Sequence, residues 1–168
     1  RILIILSILS LVFISSCANK DIITQDQSET MEANLYFIAL EDKGVKGEKI
    51  GCDDSLVPIK TQINKSDRKE IEIVYTLEKL FSKTDNSYQS QGLYNSLSNF
   101  NTKIENVIIE EDNVTVSLVG EYSISGACEI PRIENQLKKT IMQFSQFKDV
   151  IILINGKKME DVFSLKGE

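Results

Sequence analysis

A run of aliphatic residues opens the chain. Ile2 to Ile14 spans 13 residues, and only Ser7 and Ser10 interrupt it. A helix that crosses a bilayer needs roughly 20 such residues, so this run is too short to span one. A buried strand ending in a cysteine is a common use of such a run inside a globular domain. Position argues against that use here, because the run begins at residue 2 and gives way to the polar Ala18-Asn19-Lys20-Asp21. A positive charge, a short apolar stretch and small residues at its end match a secretory h-region, with Arg1 supplying the charge.

The end of the run is Ile14-Ser15-Ser16-Cys17, which resembles the bacterial lipobox. There an aliphatic residue and two small ones precede a cysteine that accepts a diacylglycerol. The thiolate is the strong nucleophile that thioether formation requires. The expected organisation is a lipoprotein signal peptide at 1–16 and a lipidated Cys17 followed by a polar tether to residue 34. One folded domain over 35–168 completes it. The expected location is extracytoplasmic, anchored to the bacterial membrane through that lipid. Residues 18–34 lack apolar periodicity, as expected of a solvated linker.

Without residues 1–17 the chain carries 18 basic and 25 acidic side chains, a net charge of −7. Nucleic acid is therefore not an expected partner. Of three cysteines, Cys17 is assigned to lipid, which leaves Cys52 and Cys128 as a pair. Outside the cytosol the simple expectation is a bridge between them, with two unrelated buried thiols as the alternative.

Strand and helix signals then alternate. Leu35 to Leu40 reads as a buried first strand, and Ser55 to Ile59 as a weaker one kept to an edge by Pro58. Asp67-Arg68-Lys69-Glu70 has the form of a capping box, with Ile71, Val74, Leu77 and Phe81 at helical spacing behind it, so a helix is expected over 68–82. Residues 83–101 read as a loop with one short helical turn. The β-branched runs 104–109 and 114–119, separated by Glu111-Asp112-Asn113, predict a tight hairpin. Pro131 suits a helix's first turn, and Ile130, Ile133, Leu137, Ile141 and Phe144 form a stripe that should face a sheet. Val150 to Ile154 reads as a fully buried strand, and Asn155-Gly156 as a type I′ turn into Lys157 to Phe163. The expected fold class is α+β: a small mixed β-sheet with two α-helices packed on one face.

Tyr36-Phe37, the segment Gly51 to Ile59, and the stretch from Thr140 to Phe144 through Val150 to Gly156 together resemble the GerMN domain. That domain is named for bacterial sporulation and spore germination proteins and often follows a lipoprotein signal. The resemblance covers residues 34–160. It implies a non-enzymatic, envelope-exposed domain, related in shape to ring-building motifs of secretion-type assemblies, with a role in protein assembly or recognition. This sequence holds one copy, whereas the germination protein that names the family has two, so germination itself is not implied.

The chemistry of the sequence agrees. It contains no histidine, the commonest general base and metal ligand. Ser55 and Ser125 lack a nucleophile-elbow context, and no phosphate-binding glycine loop is present. Asp53-Asp54 and Glu110-Glu111-Asp112 lack the spacing of a calcium loop and read as solvated turns. No catalytic residue, metal or cofactor is expected. The expected partner is another envelope protein or a second copy, met through an exposed strand edge or helix face. The alternative is a cell-wall or small-solute binding lipoprotein whose loop tyrosines, Tyr88 and Tyr94, stack on a sugar. Those two rings are more simply read as cover over the core.

Overall fold

A computed structural model describes residues 29–164, apart from 83–87, 99 and 146. Cys17 and the segment before it lie outside the described residues.

The chain forms two sheets. Strand β1 (Thr30–Ala39) pairs antiparallel with β3 (Ser55–Asn64), and β3 also takes the short β2 (Glu48–Lys49) on its other side. The second sheet runs β4 (Lys103–Glu110), β5 (Asn113–Val119), β6 (Asp149–Ile154), β7 (Lys157–Lys158), with β5 and β6 parallel and the other pairs antiparallel. Helices α1 (Lys69–Phe81) and α2 (Glu129–Met142) join with alternate residues of both sheets in one core, and a short α3 (Met159–Val162) follows β7. Two helices on a small mixed sheet, the arrangement expected from the pattern, is found over residues 69–154. The antiparallel sheet of residues 30–64 packs against the same helices, β1 against both and β3 against α1.

Local chemistry explains most elements. Helix α2 buries Ile133, Leu137 and Ile141 completely, a stripe at four-residue spacing. The hairpin of β4 and β5 closes at Glu110 and Asn113, where Glu111 rather than an Asx residue takes the left-handed conformation, at φ 54°. Asn155 and Gly156 both have positive φ, as a type I′ turn demands, and pair Ile154 with Lys157.

Several expectations need correction. β1 starts at Thr30, so residues 30–34 are strand and not tether. Strand β3 is longer than Ser55 to Ile59 and is the middle strand of its sheet rather than an edge; it tolerates Pro58 because β2 reaches only Ser55 and Leu56, which leaves the side of Pro58 that lacks an N–H unpaired. In α1 the core face is Ile73, Leu77 and Leu80, with Ile71 and Val74 only partly buried, because β4, α2, β1 and β3 pack against that side. The Asp67–Glu70 capping box does not form. Arg68 occupies the N-cap without a side-chain bond, and the buried Glu72 carboxylate instead accepts the Ser66 N–H at 3.3 Å and pairs with Lys69 Nζ at 2.9 Å. In β6 only Val150, Ile152 and Ile154 are buried, since one face of its sheet lacks a covering layer. The run after Gly156 stays extended for two residues before α3 begins.

The outer edge of β1 is closed by side chains. The Gln143 amide accepts from Asn34 N–H at 2.7 Å and donates to Asn34 C=O at 2.9 Å. Two residues on, Gln136 Nε2 donates to Tyr36 C=O at 2.8 Å, and after two more Ile38 exchanges both backbone bonds with Tyr94 at 2.8 and 2.7 Å. A bare strand edge invites pairing with other chains, and from Asn34 to Ile38 this one is filled from within.

Candidate functional site

The strained backbone of the described residues is concentrated in one loop. Between Leu40 and Asp53, four non-glycine residues take left-handed conformations: Glu41, Lys43, Cys52 and Asp53, at φ 52°, 56°, 63° and 60°. Each such residue costs of order 1 kcal/mol and persists only where its surroundings over-determine it.

The surroundings here are specific. Cys52 is bridged to Cys128, which stands at the N-cap of α2, with the Cα atoms 5.8 Å apart. Asp54 Oδ1 accepts the Glu41 N–H at 2.9 Å, Ser55 Oγ accepts the Gly44 N–H at 2.8 Å, and Lys43 N–H donates to Asp53 C=O at 2.8 Å. Asp42 Oδ2 caps the loop's tip by accepting the Lys46 N–H at 2.6 Å, and that bond holds the Asp42 carboxyl below its usual pKa. Lys49 does the same for Asp53, through an ion pair of 2.7 Å. Gly47 is required for contact, because a Cβ there would sit 2.1 Å from the Leu56 carbonyl oxygen.

Behind the loop lies a buried polar cluster. Asp54 is 0% exposed, which corrects its reading as part of a solvated turn, whereas its neighbour Asp53 does face water. Its Oδ2 receives Arg132 Nε at 2.6 Å, and Arg132 Nη1 lies 3.7 Å from Glu129 Oε2. Tyr94 OH donates to Glu129 Oε1 at 3.1 Å. Burial, then the Glu129 carboxylate, raises the Tyr94 pKa above 10. A charge out of water needs a bonded partner, and this cluster supplies one to Asp54 and to Glu129. What it accomplishes is mechanical: the first turn of α2, the disulfide and the loop become one rigid piece.

At the surface of that piece stand apolar side chains. Val45 is 84% exposed and Leu40 is 47% exposed. A fixed loop with an exposed apolar tip can dock into a partner without ordering entropy being lost on contact.

The residues singled out from sequence are placed as follows. Cys52 and Cys128 meet. Tyr88 stacks on Phe37 with ring centroids 4.1 Å apart, and Tyr94 turns its hydroxyl to Glu129, so the two rings do not form a shared platform. A cavity of about 500 Å³ between the end of α1 and the start of β4 is lined by Glu78, Phe81, Phe100, Asn101 and Lys103, among others, and includes neither tyrosine. Among the described residues no group of three or more acidic or sulfur side chains converges on a metal position, and no helix is long and apolar enough to cross a membrane. Sequence reasoning missed the loop because left-handed Glu, Lys and Cys residues carry no composition signal. The turn-forming Asp42-Lys43-Gly44, eight residues before Cys52, is the local signal that could have found it.

The family described as Germane, sporulation and spore germination, matches residues 34–160. No curated protein matches the sequence. Among solved structures, the tandem GerMN domains of the sporulation protein GerM from Bacillus subtilis align with a TM-score of 0.54 at 18% identity, covering 80% of this chain and 42% of that one. The chain thus spans less than half of the GerM structure. A chain from Clostridium perfringens, provisionally described as a lipoprotein, aligns with a TM-score of 0.43 at 19% identity over 80% of this chain and 81% of that one. The likeness to GerM is one of fold.

Proposed function

The chain belongs to the Germane family of sporulation and spore germination domains, and from that premise we propose that it is a lipid-anchored, extracytoplasmic recognition module. It holds another envelope protein and performs no chemistry. Cys17 is its anchor, and two or more acyl chains there give stable residence where one would give only marginal binding. The loop Leu40 to Asp53 is its contact surface. The observation that carries this reading is the clustering of four left-handed non-glycine residues in a loop tied by the Cys52–Cys128 bridge, with Val45 exposed at its tip. Backbone strain held in place by a bridge and a buried ion pair is the mark of a preorganised binding loop.

The test is a photo-crosslinking residue at Val45 in the full chain in its native envelope, with a second at Lys60 on the open edge of β3. One discrete adduct from position 45 and none from 60 is expected. Equal adducts from both positions, or none from 45, would refute the loop as the contact surface. Intact mass of membrane-extracted protein tests the anchor: residues 17–168 plus acyl chains is the expected species.

A second reading, binding of a wall glycan, is favoured by the cavity beside Phe81 and Phe100, where aromatic rings lie beside an amide and a carboxylate. It moves the ligand site away from Tyr88 and Tyr94.

A further inference from the structure

The second sheet keeps its helices on one side only. Val107, Val114, Val116, Leu118, Val150, Ile152 and Ile154 point into the core, so the intervening residues of β4, β5 and β6 make an outer face. Strand register orders that face into four rows. Glu110, Asn113 and Asp149 form the first, then Ile108, Thr115 and Ile151, then Asn106, Ser117, Leu153 and Lys158, and last Lys103 with Val119. Ile108 is 45% exposed, and Ile151, Leu153 and Val119 are half-buried without joining the core. The face therefore has an acidic end, a middle that mixes Ile108, Ile151 and Leu153 with uncharged polar residues, and lysines toward the other end. Glu110, Asp149, Lys103 and Lys158 are exposed and have no ion-pair partner among the described residues.

We infer that this face is a self-complementary docking surface for a second copy of the chain. A two-fold axis lying along the rows, between the second and third, reverses row order and leaves each strand opposite its own counterpart. Glu110 then faces Lys103 of the other copy, Asp149 approaches Lys158 diagonally, and Ile151 meets Leu153. Closed two-fold pairing is the commonest symmetry of like chains and needs one patch that complements itself. The alternative axis, along the strands, sets acid against acid and is disfavoured by the same charges. Sheets packed this way lie about 10 Å apart. With strands about 4.8 Å apart and rows about 6.7 Å apart, the face measures roughly 300 Å². A stable interface needs about 800 Å² per partner, so the pairing is weak and depends on a membrane to concentrate the chains. The charges set orientation more than strength. This inference rests on the recognition reading, but it concerns a surface distinct from the loop at Val45.

The test uses the full chain reconstituted in liposomes and carrying Thr115→Cys, treated with a short bis-maleimide linker because facing positions are too far apart for a direct disulfide. A dimer-sized adduct is expected, against a background set by the parent chain and by Lys60→Cys. Ser117→Cys, one row away, serves if Thr115→Cys does not fold. Adding Glu110→Lys with Asp149→Lys should lower the yield about ten-fold, from several exposed pairs each turned from attraction to repulsion. Adding Lys103→Glu with Lys158→Glu to that variant should restore it. Yield no greater than background, or yield indifferent to the first reversal or not restored by the second, overturns the inference. The Val45 adduct is read separately, so loss of one result leaves the other standing.

Discussion

Removing the disulfide is the perturbation whose size follows most directly from the structure. Cys52 and Cys128 are 76 residues apart, and in the chain-entropy account a closed loop of that length stabilises the folded state by about 4.5 kcal/mol. Once the bridge is gone, Cys52 and Asp53 are free to leave their left-handed conformations, which returns about 1 kcal/mol each. The double variant Cys52→Ala/Cys128→Ala should therefore lose about 2.5 to 4.5 kcal/mol, a large part of the 5–15 kcal/mol typical of a domain. In urea, with a slope of about 1.5–2 kcal/mol/M, the unfolding midpoint should fall by about 1–3 M. The single variant Cys52→Ala should fall nearly as far, since either change abolishes the bridge. Hydrogen exchange locates the effect: the Glu41 and Gly44 amides, bonded to Asp54 and Ser55, should lose protection before the core of α2 does. A midpoint lowered by less than about 0.5 M, with the bridge verified by mass in the parent, would refute the account of the loop as strain held by a crosslink.

Arg132→Met leaves Asp54 buried without its cation and should cost about 3–5 kcal/mol by urea unfolding, while adding Asp54→Asn should recover much of that loss. Burial, with the Glu129 carboxylate as second cause, raises the Tyr94 pKa, and burial raises that of Tyr122, so both contribute stability that is complete below pH 10 and lost as pH rises through their folded values. Phenolate absorbance should show two tyrosines titrating late, and Tyr94→Phe should remove one of them and flatten the alkaline loss of stability. Gly47→Ala drives a methyl into the Leu56 carbonyl and should cost about 1–3 kcal/mol, read as a lowered melting temperature with exchange loosened at Glu48 and Lys49.

Much of the fold was legible because its signals are local. The 3.6-residue stripe of Ile133, Leu137 and Ile141, the turn at Asn155-Gly156 and the paired β-branched runs on either side of Glu111 each draw on chemistry within a few residues. The pairing of Cys52 with Cys128 followed from counting alone. Cys17 was read instead from the aliphatic run and the two serines before it, and it lies outside the described residues. The face of α1 was misjudged because Ile71, Ile73, Val74, Leu77, Leu80 and Phe81 offer two overlapping stripes, and only the packing of β4, α2, β1 and β3 against the helix selects between them.

The candidate surfaces were not legible, for a physical reason. Asp53 and Asp54 are adjacent and chemically alike, yet one faces water and the other is sealed beneath Arg132, a residue 78 positions away. Gln136 and Gln143 look like ordinary helix-surface residues until β1 arrives 100 or more positions distant to receive their amides. Left-handed Glu41 and Lys43 are unfavourable in isolation and exist because Asp54, Ser55 and the bridge hold them. By itself the sequence determined the two long helices, the hairpins and the cysteine pair, all matters of local spacing and composition. Tertiary structure decided which carboxylate is buried, which edge is filled and which loop is held rigid, because each depends on partners that only the folded chain brings together.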